Sequence, residues 1–135
     1  MTSMKTNPGY LIDTHIFLWI LSASERLSAK AKNIVQEPRN AIFLSKVSYW
    51  EICLKASKGK LRLQGGWEES FEEERRNNRF QWLEVNPSHC RGIINLPFHH
   101  KDPFDRLLIA QANHENLILV TCDLKFENYD VETIW

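Results

Sequence analysis

The sequence predicts an α/β fold: a central parallel sheet of four to five strands covered by helices on both faces, in three α/β/α layers. Three observations lead there. Short apolar runs alternate with longer segments of helical period, the pattern of repeated strand–helix–strand units. The runs at 9–12 and 117–121 are rich in Ile, Leu and Val without strict alternation, as expected of strands covered on both sides. The chain has 135 residues, 43% of them apolar, enough to close one real core but short for two.

The elements follow in order. Residues 1–8 form a leader ahead of a single domain over 9–135, and Met4 is an alternative start to Met1. "GYLI" (9–12) is the first strand and "AIFLS" (41–45) the second. "QWLEV" (81–85) and "LILVT" (117–121) supply the third and fourth, and "VETIW" (131–135) a last edge strand. The segments between them predict helices over 14–23, 26–36, 46–58, 67–78, 87–95 and 103–116. Asp102–Pro103–Phe104–Asp105 is a strong helix start: Asp at the N-cap, Pro at the first position, an acid in the first turn. "SKGKLRLQGGW" (57–67), with three glycines, reads as the longest turn.

Composition excludes several classes. Seventeen Lys and Arg balance seventeen Asp and Glu, so there is no global basic field of the kind many nucleic-acid binders carry. A local patch or a basic partner has to supply any phosphate contacts. Cys53, Cys90 and Cys122 are odd in number and far apart, without a C-x-x-C pair. That pattern suggests neither a disulfide framework nor a thiolate zinc site, and it fits a reducing, cytoplasmic compartment. The leader is polar where a secretory signal is apolar. "IFLWIL" is far shorter than the roughly 20 apolar residues a membrane span needs, so no membrane association is expected.

The carboxylates carry the chemistry. In open parallel sheets, ligands bind outside the carboxyl ends of the strands, where the strand order reverses. Asp13 directly follows the first strand and Asp123 lies just past the fourth; neighbouring strands would bring both to one crevice. Thr121 lies at the same edge, its hydroxyl suited to orient a carboxylate or a water. Two further acids sit on helices. At about 100° per residue, Glu51 falls at the edge of the stripe formed by Val47, Trp50 and Leu54. Asp105 falls inside the apolar face of Phe104, Leu107, Leu108, Ile109 and Ala112. Desolvating an unpaired charge is costly, so acids on such arcs call for a partner. One divalent cation satisfies all four. Oxygen donors suit Mg²⁺ or Mn²⁺, which commonly bind substrate phosphates. A cation of this kind activates water and stabilises phosphoryl charge, making phosphodiester hydrolysis the natural reaction.

Each residue also has a plainer reading. Asp13 can cap a helix, Asp102 is sufficiently explained as a cap, Glu51 can pair with Lys55, and Asp123 can be a turn residue. Their joint placement carries the inference. His99 and His100 read as loop or packing residues, because adjacent side chains diverge; His15 reads as shaping a turn. No Ser–His–Asp set, G-x-S-x-G elbow or glycine-rich phosphate loop appears. Lys46, Lys55, Lys58, Lys60 and Arg62 lie along or after the helix of Glu51, and Lys101 and Arg106 flank Asp105. All are candidate phosphate contacts, and each is equally an ordinary solvated cation.

Four stretches together, "YLIDTHIFLWIL", "FLSKVSYWEICLKASKGKL", "LPFHHKDPFDRLLIAQA" and "LVTCDLKFENYDV", resemble PIN-domain ribonucleases, specifically VapC-type toxins of bacterial toxin–antitoxin pairs. The resemblance spans nearly the whole chain and implies a PIN-like fold. Asp13, Glu51, Asp105 and Asp123 match the four acids of that site, and Thr121 the polar residue that supports it; Asp102 is peripheral. It implies one or two Mg²⁺ or Mn²⁺ ions, hydrolysis of RNA such as transfer RNA, a homodimer, and a small antitoxin partner. Two other readings differ in class. One is a catalytically silent binding module on the same fold. The other is a small metal-dependent phosphatase with an aspartyl nucleophile, which generally wants a second acid where His15 stands.

Overall fold

The computed structural model describes residues 8–135. The leader expected over 1–8, Pro8 apart, and the two candidate starts lie outside the described residues. The elements run β1 (Gly9–Ile12), α1 (Thr14–Leu21), α2 (Ala29–Gln36), β2 (Ala41–Ser45), α3 (Lys46–Ser57) and α4 (Trp67–Asn77). They continue with β3 (Gln81–Leu83), α5 (Pro87–Ile93), α6 (Pro103–Glu115), β4 (Ile118–Val120) and β5 (Thr133–Ile134). A 3-10 turn, Leu124–Asn128, joins the last two strands.

The strands pair in the order β3-β2-β1-β4-β5, and every pairing is parallel. All five expected strands are present. Side chains alternate across the sheet, as the strand period of two requires. Tyr10, Ile12, Ile42, Leu44 and Val120 face one way, onto a core shared with Ile16 and Phe17 of α1, Ala31, Ile34 and Val35 of α2, and Phe71 of α4. Leu11 and Leu119 face the other way, onto Leu107, Leu108, Ile109 and Ala112 of α6 and Phe126 of the 3-10 turn. Both faces are therefore covered, which explains why the strands read as apolar runs. Aromatic rings dominate the first core. Phe17 and Phe71 lie 4.4 Å apart between centroids, and Phe71 stacks on Trp82 at 5.8 Å.

Boundaries moved where side chains competed with the pattern. The helix expected over 26–36 begins at Ala29, because extended Ser28 accepts from Ala31 N at 3.0 Å and caps it. The strand expected over 117–121 is shorter. Leu117 N still closes the preceding helix onto Ala112 O at 2.8 Å, and Asn116 turns the chain at φ 55°. The first residue of β1 packs closely on the α6–β4 turn: a Cβ on Gly9 would lie 2.6 Å from Leu117 Cδ2 and displace that side chain.

Candidate active site

The chain runs from β1 to β2 and β3 on one side, then crosses to β4 on the other, so the order reverses between β1 and β4. Their carboxyl ends are in register, Ile12 opposite Val120. Asp13 N extends the ladder by donating to Val120 O at 3.0 Å, which sets the carboxylate directly over the strand ends. Asp13 is both a cap and a buried acid, 3% exposed. Oδ1 accepts from His15 N at 3.4 Å, and Oδ2 accepts from the Thr121 hydroxyl at 2.8 Å. That hydroxyl in turn accepts from Asp123 N at 3.1 Å, so Thr121 ties the ends of the two strands together. Asp123 also caps the 3-10 turn, Oδ1 accepting from Lys125 N at 3.0 Å.

The two helical acids arrive from either side. Ser45 caps α3 through Val47 N at 3.1 Å, and one turn further on Glu51 is 2% exposed. Its Oε1 accepts from Thr14 Oγ1 at 2.7 Å, and its Oε2 from Lys55 Nζ at 2.8 Å. Thr14 Oγ1 also lies 2.8 Å from Ser48 Oγ. Asp102 caps α6, its Oδ1 accepting from Phe104 N at 2.9 Å and Asp105 N at 3.4 Å. Asp105 Oδ2 meets His100 Nε2 at 2.6 Å. His100, Asp105 and Asp123 each offer a ligand atom, all within 4.8 Å of one another.

Electrostatics record the crowding. Burial pushes the Asp13 carboxyl up; hydrogen bonds from Thr121 and His15 pull against it, and the Glu51 charge adds to it. Asp105 is pushed up to about 7, by burial first, then by the charges of Asp102 and Asp13; its contact with His100 opposes this. Burial lowers the Lys55 ammonium, but its hydrogen bond to Glu51 and the surrounding acids more than offset that and leave it raised.

Several expectations need correcting. Arg106 is not a phosphate contact. It is 5% exposed, and its guanidinium donates to the carbonyls of Pro97 (2.7 Å), Ile93 (3.3 Å) and Leu96 (3.3 Å) and to Tyr129 Oη (3.3 Å). The α5–α6 connection folds back over it, which no helical angle foretells. His100 is not merely a loop residue, since it contacts Asp105. Lys55 is engaged with Glu51, and Lys46 pairs with Glu84 at 2.7 Å; Lys101 remains exposed. Thr14 and Ser48 join the site without any signal in helical period, although the hydroxyl directly after Asp13 in sequence is a usable one. Trp50, 60% exposed, meets Phe104 edge-to-face at 5.0 Å between centroids, beside Glu51 and Asp105 in sequence.

Fold and site together define a three-layer α/β protein with a cluster of acids at the switch point of its parallel sheet. The chain belongs to the PIN-domain family, whose model matches residues 10–132. Among solved structures it is similar to a chain of VapBC2 from Rickettsia felis bound to a DNA fragment from their promoter. That pair has TM-score 0.69 and 16% identity, covering 93% of this chain and 97% of that one. It is similar also to a chain of VapBC-1 from nontypeable Haemophilus influenzae, at TM-score 0.65 and 19% identity, covering 93% and 96%. A toxin–antitoxin complex from Klebsiella pneumoniae gives 0.62 and 20%, covering 93% and 96%. No curated protein is significantly similar in sequence. No helix among the described residues is long and apolar enough to cross a membrane.

Proposed function

We propose that this chain is a divalent-cation-dependent endoribonuclease acting as the toxin of a toxin–antitoxin pair. The observation that carries the reading is the meeting of acids from four separate elements at one end of a parallel sheet, in a family whose fold relatives are chains of VapBC complexes. The donor set fits Mg²⁺ or Mn²⁺. Asp105 Oδ1 and Asp123 Oδ2 accept no hydrogen bond among the described residues, and the contacts of Asp13 with Thr121 and His15 and of Asp105 with His100 do not offset the desolvation and mutual repulsion that push both carboxyls up. Asp13, Glu51, Asp105 and Asp123 would hold the ion.

When bound, such an ion lowers the pKa of a coordinated water and neutralises charge on the scissile phosphate. The chain's own residues prepare the site. Thr121 locks the Asp13 rotamer, and Thr14 with Lys55 locks Glu51. The Asp102 cap sets the first turn of α6 and with it the direction of Asp105. Lys101 is positioned on the surface for an RNA phosphate, and the open face of Trp50 for an unpaired base. Trp50→Ala is expected to raise KM about tenfold with kcat little changed, the size of one lost base stack; steady-state cleavage of a short single-stranded RNA measures it.

The assembly we propose is a cytoplasmic homodimer held by a small antitoxin, a reading supported by the fold likeness to chains from toxin–antitoxin complexes. Cleavage of single-stranded and transfer RNA by the purified chain, with Mg²⁺ or Mn²⁺ and then with excess chelator, tests the activity. Cleavage should require the cation and return when it is restored. Cleavage that persists undiminished in chelator would overturn the reading.

A further inference from the structure

Two groups of side chains among the described residues bring histidines and carboxylates within a metal ion's reach. One is His100, Asp105 and Asp123; the other is His89, His114 and Glu115. Hydrogen bonding separates them. His89 Nδ1 accepts from Asn86 N at 3.2 Å and lies 3.4 Å from Gln111 Nε2. A neutral imidazole has one proton, which must therefore sit on Nε2, where it is donated to Glu115 Oε1 at 3.0 Å. An Nε2 so occupied has no lone pair for a cation. That group is a strut between α5 and α6.

His100 is free of that constraint. No hydrogen bond reaches its Nδ1 among the described residues, so the proton can sit there and leave the Nε2 lone pair to a cation. Its backbone is fixed instead: His100 N donates to Tyr129 Oη at 2.9 Å, and Arg106 donates to the same oxygen at 3.3 Å. Arg106 also grips the carbonyls of Ile93, Leu96 and Pro97, so the whole approach to His100 is held against α6. The ring is only 14% exposed and sits 2.6 Å from Asp105 Oδ2. Two ligands on one octahedral ion with bonds of about 2.1 Å lie roughly 3 Å apart when adjacent and 4.2 Å when opposite. The His100–Asp105–Asp123 spacings reach that range with small side-chain movements.

We propose that His100 is a nitrogen ligand of the site's cation, joining Asp105 and Asp123, and that it biases the site toward Mn²⁺ over Mg²⁺. This rests on the cation-dependent reading above. The chemistry is that of donor type. An all-carboxylate set serves Mg²⁺ well, whereas an imidazole nitrogen is a better donor to a transition ion such as Mn²⁺ than to the harder, oxygen-preferring Mg²⁺.

Pulsed electron paramagnetic resonance of Mn²⁺ bound to the full chain, with calorimetric titration of Mn²⁺ and Mg²⁺, tests this. A ¹⁴N coupling to Mn²⁺ is expected in the wild type and should vanish in His100→Gln while persisting in His15→Gln. Mn²⁺ affinity should fall on the order of 10- to 100-fold in His100→Gln, and Mg²⁺ affinity by much less. Mn²⁺ binding without ¹⁴N coupling, or coupling that survives His100→Gln, would overturn the ligand role yet leave a carboxylate site standing. Failure of the wild type to bind either ion would overturn the cation-dependent reading itself, and this proposal with it.

Discussion

Asp105→Asn is expected to reduce RNA cleavage on the order of 10²- to 10³-fold, the scale of losing one preorganised electrostatic contact, while making the cation-free protein more stable. The amide still accepts from His100 but carries no charge. The sign follows from proton linkage. In the folded protein the Asp105 carboxyl is pushed to about 7, by burial and by Asp102 and Asp13, against 3.8 in the unfolded chain. Between those values the folded state holds a proton that the unfolded state has lost, so stability falls as pH rises through this window. Above about pH 7 the full cost is present, on the order of 4 kcal/mol by the standard conversion of a rise from 3.8 to about 7. Asn does not titrate, so the variant should lose that slope. A bound cation relieves the same repulsion, and its stabilisation of the wild type should be largest above pH 7 and fade as the acids protonate. Thermal melts of both proteins at about pH 5 and pH 8, with chelator and with Mn²⁺, measure each part. Identical pH profiles for variant and wild type would refute the account.

Replacing Arg106 should strike at the fold. Its guanidinium is buried against four oxygen acceptors and lies 4.3 Å from the Phe98 ring centroid. Arg106→Ala strands three carbonyls and loosens Tyr129, a cost of about 2–4 kcal/mol. Arg106→Lys should recover only part, because a single ammonium lacks the fork that reaches carbonyls from Ile93 to Pro97 at once. Cleavage should fall too, since the segment that presents His100 loses its anchor. Urea denaturation gives the magnitude. A loss under about 1 kcal/mol would return Arg106 to the role of a solvated phosphate contact.

Local chemistry made much of this molecule legible. The ends of apolar runs mark the positions of Asp13 and Asp123, and helical angles mark Glu51 and Asp105 as turned inward. Both methods use periodicity, which is a property of a few consecutive residues. The same methods missed His100 and misassigned Arg106, five and one residues from or beside Asp105. A helical angle says that a side chain turns inward, but not what it meets. Asp105 meets a histidine from a loop, and Arg106 meets carbonyls whose direction depends on the path from 93 to 97. Thr14 escaped for a similar reason, because its partners, Glu51 and Ser48, lie 37 and 34 residues away.

By itself the sequence determined the parallel α/β class, the strands, the cap at Asp102 and the acids that stand at strand ends and on buried helical arcs. Apolar period and capping chemistry act within a turn or a strand, so they can be read without knowing what lies opposite. The tertiary structure alone decided the order β3-β2-β1-β4-β5. That order sets β4 beside β1, brings Thr121 to Asp13 at 2.8 Å, and draws acids from four separate elements together. Strand neighbours are chosen by how the helical crossovers bury both sheet faces together, a property of the whole core that no single stretch contains.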